Sequence, residues 1–189
     1  MKPLRLLLAL FAINIVAIGA VLSWVMPSQA VDLKLYTVSV QQPEETPQLV
    51  AGEPVRIKIP SSNIDLPVVD GSYNADTGEW TLSPDKVHYA LVTPPANNQA
   101  GNTFLYGHNN RKVFATLDST KLGSTATIIT SNKKEFTYRL RSVKEVEPSD
   151  VSLFSYRGPA ILTIQTCSGN WYEKRKLFTF DFQYVKDVK

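Results

Sequence analysis

The sequence predicts a mainly β domain, built as a barrel or a sandwich, behind an N-terminal apolar segment. Short runs of alternating apolar and polar residues recur along the chain, with Gly, Pro, Asn and Ser residues between them. No segment of the domain keeps a helical period for more than about three turns. The 189 residues, 43% of them hydrophobic, suffice for one domain with a buried core.

The first thirty residues predict a membrane anchor. Residues 6–26 are almost all apolar, and about 20 residues of helix span the hydrocarbon core of a bilayer. Lys2 and Arg5 precede this run, so we expect the N-terminus in the cytoplasm and the remainder of the chain outside the cell. The alternative is a cleaved signal peptide, because Ser28-Gln29-Ala30 offers small residues at a suitable cleavage site, although the apolar run exceeds a usual signal core.

Residues 31–53 predict an extracellular linker, and residues 54–189 predict the folded domain. The linker is rich in Gln, Pro, Glu, Thr and Val, a composition that buries little apolar surface. Since it carries no reactive groups, we expect that removal of residues 1–52 leaves a soluble, active protein.

Seven strands are predicted within the domain, at residues 55–59, 64–69, 103–106, 126–130, 136–146, 160–166 and 177–185. Short helical pieces are predicted at residues 83–89 and 113–117. Two long stretches, residues 71–102 and 168–174, have little regular pattern but contain several aromatic residues. Long loops in a compact domain are usually functional or disordered, and the aromatic residues argue against disorder.

The charged, cysteine and histidine residues exclude several classes of function. A net charge of +3 with scattered basic residues does not suggest a nucleic-acid-binding face. A single cysteine cannot form an internal disulfide. The two histidines, His88 and His108, lie far apart, without the spacing of a metal site, so no metal or other cofactor is expected.

Three reactive side chains stand where predicted strands meet loops: His108, Cys167 and Arg175. If these strand ends gather at one mouth of a barrel, the chemistry would be acyl transfer through a thioester. A thiolate is a strong nucleophile, an imidazole moves protons, and a guanidinium binds a developing oxyanion. Taken singly, each has a simpler interpretation as a buried apolar thiol, a turn histidine and part of a solvated charge run.

Three segments together resemble the sortase family. Residues 161–167, ILTIQTC, are similar to the sortase strand that ends in T-L-x-T-C. Residues 173–178, EKRKLF, are similar to the strand that carries the sortase arginine, and residues 101–108, GNTFLYGH, resemble the segment that carries its histidine. Residues 57–60 and 66–71 also resemble the first strands of the family, so the likeness covers about residues 54–185 in the family's order.

The resemblance implies a membrane-anchored, extracellular cysteine transpeptidase with an eight-stranded β-barrel. Sortases cut a sorting signal of the L-P-x-T-G type between Thr and Gly, and pass the acyl group to an amine of a cell-wall precursor or a pilin. It implies that Cys167 is the nucleophile, His108 the general acid and base, and Arg175 the stabiliser of the oxyanion. The substrate-binding residues that it implies are Thr163, Ile164, Thr166 and Asn109.

Some features depart from the family pattern. Ile164 replaces the usual Leu of the signature. Residues 92–100, before the histidine, contain no acid, so we expect no calcium dependence through this loop. No lid motif of the pilin-polymerising class is present in the sequence, which favours class A, D or E. Two other functions stay open: a thiol hydrolase on the same scaffold, and an inert barrel that binds peptides.

Overall fold

The computed structural model describes residues 48–74, 76–77 and 79–188. The predicted membrane anchor or signal segment and residues 31–47 of the predicted linker lie outside the described residues. In the part of the chain that is described, no helix has both the length and the apolar character needed to span a bilayer.

The mainly β prediction is confirmed, and eight of the described strands close into a barrel. The described strands are β1 (Ala51–Gly52), β2 (Pro54–Ile59), β3 (Ile64–Gly71), β4 (Tyr73–Asn74), β5 (Glu79–Trp80), β6 (Val87–Ala90), β7 (Ala96–Asn97), β8 (Asn102–Tyr106), β9 (Thr125–Thr130), β10 (Lys134–Val146), β11 (Ile161–Ser168) and β12 (Lys174–Asp187). Short 3-10 helices occupy Pro60–Ser62, Leu117–Ser119 and Ser152–Ser155.

The barrel follows the order β10-β12-β11-β8-β6-β3-β2-β9 and closes between β9 and β10. Neighbouring strands are antiparallel, except that β11 runs parallel to β8 and β3 runs parallel to β6. Outside the barrel, β1 pairs with β7 and β4 pairs with β5. The parallel β8–β11 pair matters most for function, because it brings the ends of two distant segments to the same edge.

Alternating residues of the strands fill the barrel interior. Ile57 and Ile59 of β2, Ile128 of β9, and Leu162 and Ile164 of β11 have no exposed surface and belong to one apolar core. This pattern is the one that the sequence predicts for half-buried strands. Burial of one such side chain contributes about 1.5–3 kcal/mol, so the interior residues stabilise the scaffold on which the loops are mounted.

A second apolar cluster packs on the outside of the barrel. Phe104 and Tyr106 of β8 and Leu177 of β12 are buried there, and Trp80 and Phe154 pack against them. Two ring contacts are edge-on, Trp80 to Tyr106 at 5.2 Å and Phe104 to Phe154 at 4.7 Å between centroids. This cluster forms one side of the cavity described below.

The prediction of a helix at residues 83–89 is wrong, since Val87–Ala90 is strand β6. All four of its residues are buried, because β6 lies between β3 and β8 and is covered on both faces. A strand buried on both faces shows no alternation, and a short apolar run cannot be told from a buried helix by its periodicity. The prediction at residues 113–117 is partly met: residues 113–116 form turns that lead into the 3-10 helix Leu117–Ser119.

The end of the predicted linker belongs to the folded unit. Besides the β1–β7 pairing, the Val50 amide donates to Asn98 Oδ1 at 2.9 Å, and the Asn132 side chain donates to the Ala51 carbonyl at 2.8 Å. Gly52 fits closely here, because a Cβ on it would come within 2.3 Å of Asn132 Oδ1. Residues 50–52, at the end of the predicted linker, are therefore bonded to the described domain.

Candidate active site

Strands β11 and β12 place the thiol beside the guanidinium. Cys167 on β11 is paired in register with Arg175 on β12. Side chains of directly opposed residues in an antiparallel pair lie on the same face, with Cβ atoms about 4.5–5.5 Å apart. Both residues are half-buried and both line one cavity on the outer face of the barrel.

The chain that leaves β8 brings His108 to the end of β11. Strand pairing stops at Tyr106 and Gln165, but the contact continues along β11. The Gly107 amide donates to the Gln165 carbonyl at 3.2 Å, and the Thr166 hydroxyl donates to the Gly107 carbonyl at 3.0 Å. His108 thus follows directly after a residue that is bonded twice to the nucleophile's strand.

Asn109 completes this attachment from the other side of His108. Its carboxamide donates to the carbonyl of Cys167 at 2.9 Å. Because β8 has already ended, this carbonyl has no ladder partner, and a strand carbonyl that is removed from water needs a donor. Asn109 therefore holds the backbone of the nucleophile in place, and the substrate contact that the resemblance implies stays a prediction.

Close packing behind the histidine fixes the loop. A Cβ on Gly107 would come within 2.8 Å of Val113 Cγ1 and 3.1 Å of the Phe114 ring, so only glycine fits there without a shift. Val113 and Phe114 are 3% and 1% exposed and belong to the main core. The amide of Phe114 also donates to the carbonyl of His108 at 3.2 Å. His108 is therefore mounted on a segment anchored in the barrel core.

No hydrogen bond joins the thiol of Cys167 to the His108 ring or to the Arg175 guanidinium within the described residues. Catalytic hydrogen bonds are often long without substrate and tighten when it binds. The Arg175 Nη1 instead donates to the carbonyls of Tyr172 and Lys174, each at 3.0 Å. The guanidinium is thus tied to the loop after β11 and keeps further N–H groups for a ligand.

The loop between β11 and β12, residues 169–173, is folded around one carboxylate. Glu173 accepts the amide of Trp171 at 2.8 Å. Hydrogen bonds from backbone amides, including those of Glu173 and Trp171, lower the pKa of Glu173 below its ordinary value. Gly169 has a φ of 86°, a left-handed conformation that glycine adopts without strain. The fold of this loop fixes the carbonyl that holds Arg175.

His88 and Asn110 hold in place the segment whose residues Trp80 and Leu82 line the cavity. The amide of Ser83 donates to His88 Nε2 at 2.9 Å, and His88 Nδ1 donates to the Asp70 carbonyl at 3.3 Å. Asn110, two residues after His108, donates to the Pro84 carbonyl at 2.9 Å. These contacts hold the segment that carries Trp80 and Leu82, and nothing in the sequence indicated the part that Asn110 plays.

The cavity has an apolar body and a polar end. The apolar side chains of its lining come from Trp80, Leu82, Phe104, Tyr106 and Phe154, and the rest comes from Gly107, Gln165, Thr166, Cys167 and Arg175. Binding sites typically combine such apolar walls with a few placed polar groups. Within the described residues no group of three or more His, Cys, Asp or Glu side chains is arranged to hold a metal ion.

The predicted substrate-binding residues occupy different places. Ile164 points into the barrel core, and Thr163, although on the same face of β11 as Cys167, is also 0% exposed. Neither lines the cavity, because Ile164 lies on the inner face of the strand and Thr163 is fully buried. Thr166 does line the cavity, with its hydroxyl bonded to Gly107. Gln165 also lines the cavity but was not predicted as a site residue, although it lies two residues before Cys167 and therefore on the same face of β11.

A family model, the sortase domain, matches residues 57–180. Three solved structures are similar to the chain. Sortase A from Listeria monocytogenes has 19% identity and a TM-score of 0.59, over 74% of this chain and 92% of that one. Sortase E1 from Streptomyces coelicolor, solved with a tripeptide in its active site, has 20% identity and a TM-score of 0.57, over 72% and 91%. Sortase C1 from Streptococcus suis has 20% identity and a TM-score of 0.58, over 71% and 74%.

No curated protein matches the chain in sequence. At these identities the solved structures establish the fold, and they include sortases of types A, C and E, so they do not distinguish the class. The family model covers well over half of the chain and includes the segments of His108, Cys167 and Arg175. The chain therefore belongs to the sortase family of cysteine transpeptidases.

Proposed function

We propose that this protein is a membrane-anchored, extracellular sortase that cleaves an L-P-x-T-G-like sorting signal and joins the released acyl group to an amine. The acceptor amine belongs to a cell-wall precursor or to another protein such as a pilin. Residues 1–30 form the anchor, residues 31–47 the spacer, and the folded unit from residue 48 carries the chemistry. The apolar run and its preceding positive charges support the anchor.

In the first half of the reaction, Cys167 forms a thioester with the substrate. His108 takes the thiol proton, and Sγ attacks the carbonyl carbon of the scissile Thr–Gly bond. The new C–S bond forms, the C–N bond breaks, and His108 returns its proton to the leaving amine. Arg175, opposite Cys167 in the strand register, donates N–H groups to the carbonyl oxygen as it becomes negative.

In the second half, an acceptor amine replaces the leaving group. Its nitrogen attacks the thioester carbonyl, a C–N bond forms and the C–S bond breaks. His108 takes a proton from the attacking amine and gives it to the departing sulfur, so the enzyme returns to its starting state. No redox step and no cofactor is needed, since every proton and electron pair is accounted for by these groups.

One observation carries the proposal: three separate segments converge on one cavity. Cys167 and Arg175 both line it. Gly107, the residue before His108, also lines the cavity, and both its amide and its carbonyl are bonded to β11. A buried structural thiol would need neither the opposed guanidinium nor an apolar cavity open to a peptide. The outer apolar cluster supplies walls for the apolar part of a sorting signal.

A labelled sorting peptide, incubated with and without an amine acceptor, tests the reaction type. We expect a ligated product that increases with amine concentration, and no product from Cys167→Ala. The matched control is Ser155→Ala, an exposed hydroxyl on the Ser152–Ser155 helix that lies outside the cavity lining. Only hydrolysis at high amine concentration would favour a thiol hydrolase, and binding without any cleavage would favour an inert barrel.

A cell-fractionation experiment tests the location. We expect the full chain to sediment with membranes and its C-terminal domain to be digested by a protease added outside the cell. A protein recovered from the medium with a new N-terminus near residue 31 would instead support the signal peptide.

A further inference from the structure

Gln165 occupies a particular place on the cavity floor. It lies two residues before Cys167 on the same face of β11, between Tyr106 of β8 and Leu177 of β12 in the strand register. Both neighbours are nearly buried, at 6% and 5% exposure, whereas Gln165 is half-buried. Its side chain lines the cavity, and its carboxamide makes no hydrogen bond with any of the described residues.

Of the other polar groups of the lining, two make hydrogen bonds within the protein, whereas the buried hydroxyl of Tyr106 has no partner among the described residues. The hydroxyl of Thr166 is bonded to Gly107, and Nη1 of Arg175 is bonded to the carbonyls of Tyr172 and Lys174, while the other N–H groups of the guanidinium stay available to a ligand. The carboxamide of Gln165 has no hydrogen-bond partner among the described residues, and its neighbours in the strand register are an aromatic and an aliphatic side chain. A ligand that fills the cavity removes its water, and a polar group that loses water without gaining a partner opposes binding.

A peptide main chain supplies the missing partners. A carboxamide has an acceptor oxygen and donor N–H groups, and a peptide group has the complementary pair. The lining includes residues 165, 166 and 167 of β11 but nothing beyond Cys167, so the cavity extends from the nucleophile toward Gln165. The recognised part of a sorting signal, which precedes the bond that is cut, fits this direction.

The spacing selects one peptide group. Two residues of a strand span about 6.6–6.8 Å, and an extended peptide has the same repeat. With the Thr carbonyl carbon of L-P-x-T-G at the Cys167 sulfur, the main-chain group two residues earlier reaches Gln165. This group is the carbonyl of the second residue and the N–H of the third.

We propose that Gln165 is a specificity-determining residue that sets the register of the sorting peptide, through hydrogen bonds to the peptide group between its second and third residues. This inference rests on the proposed function of the same site. Because the contact is with the main chain, it fixes which carbonyl meets the thiolate and does not select the side chain of the third residue.

A two-by-two comparison of enzyme and peptide tests this proposal. Gln165→Met keeps the length of the side chain and removes its hydrogen bonds. The peptide change replaces the amide between the second and third residues by an ester, which removes one N–H. The control peptide carries the ester at the next bond, whose N–H faces the other way in an extended chain, and the control variant is Gln183→Met on an exposed part of β12.

The expected result is loss of the ester effect in the variant. In the wild type, the ester at the second bond lowers kcat/KM about tenfold, while in Gln165→Met the two peptides differ by less than about twofold. We also expect Gln165→Met to cut a measurable share of peptides at a neighbouring bond, as seen in the product masses. The ester at the next bond should cost the same in the wild type and in Gln165→Met. Gln183→Met should show the same loss of kcat/KM with the second-bond ester as the wild type.

Two failures can be told apart. If the wild type cleaves the peptide and Cys167→Ala does not, but the ester costs the same in wild type and in Gln165→Met, the role of Gln165 is overturned while the proposed function stands. If the wild type cleaves no sorting peptide at all, the proposed function itself fails.

Discussion

The hydroxyl of Thr166 offers a sharp test of how His108 is positioned. Thr166→Val replaces this hydroxyl by a methyl group of nearly the same shape. The wild-type hydroxyl donates to the Gly107 carbonyl at 3.0 Å, and Thr166 is 4% exposed. The substitution therefore leaves a buried carbonyl without its donor, next to the residue that moves protons in the proposed reaction.

The magnitude follows from the burial of this pair. A buried polar group that loses its partner costs about 1–3 kcal/mol of the free energy of unfolding. For a domain of this size, that lowers Tm by about 3–10 °C. The effect on catalysis is larger than the effect on folding, because a shift of about 1 Å in a catalytic group can cost about a hundredfold in rate. We expect kcat to fall about ten- to a hundredfold.

The assay combines urea unfolding with steady-state peptide cleavage, and Thr166→Ser is the matched variant. Serine keeps the hydroxyl and loses the methyl group, so it costs about 1 kcal/mol in packing but preserves the bond to Gly107. We expect Thr166→Ser to retain most of the turnover that Thr166→Val loses. A Thr166→Val enzyme that is as active as Thr166→Ser would refute the idea that this bond positions the histidine.

Three further predictions concern other parts of the domain. Arg175→Lys keeps the charge but loses the planar fork of N–H groups, so we expect turnover to fall about ten- to a hundredfold with unchanged urea midpoint; near-wild-type turnover would remove the argument for directional donors. A chain that begins at residue 48 should be more stable than one that begins at residue 53 by about 1–3 kcal/mol, because the shorter chain lacks β1, the bond that Val50 donates to Asn98 and the bond that Ala51 accepts from Asn132. Equal Tm values for the two chains would show that β1 does not stabilise the domain. Burial, together with the charges of Lys86 and His108, lowers the pKa of His88 below its ordinary 6.5, against the opposing effect of the hydrogen bond to the Asp70 carbonyl. The unfolded chain then binds the proton first as the pH falls, so stability is full above pH 6.5 and decreases below it. His88→Gln should flatten this dependence in urea titrations between about pH 7.5 and 5, and an equally steep loss in the variant would exclude His88 as the cause.

The sequence was most informative where one face of a strand is buried. All seven predicted strands overlap observed strands, because alternation reports a half-buried face directly. The resemblance of three short motifs to the sortase family added the closed barrel, which the alternation alone left open between barrel and sandwich. The sequence also placed Cys167 and Arg175 at the facing ends of two consecutive predicted strands, and the structure pairs them in register.

The missed features depend on contacts between distant residues. Strand β6 is buried on both faces, so its sequence has no period from which to recognise it. The role of Asn109 arises because β8 ends before β11 does, and the relative lengths of paired strands are not visible in a single sequence. Thr163 and Ile164 were placed in the groove by motif, but neither has exposed surface and Ile164 belongs to the barrel core.

The most direct test of the account is the intact mass of the enzyme after incubation with a sorting peptide and no acceptor amine. The account predicts a mass increase equal to the acyl part of the peptide, mapped by digestion to Cys167 and lost when an amine is added. Arg175→Ala and His108→Ala should form this adduct more slowly, and Cys167→Ala not at all. Peptide cleavage without any adduct on Cys167, or an adduct that persists in Cys167→Ala, would contradict the central claim that this thiol is the nucleophile.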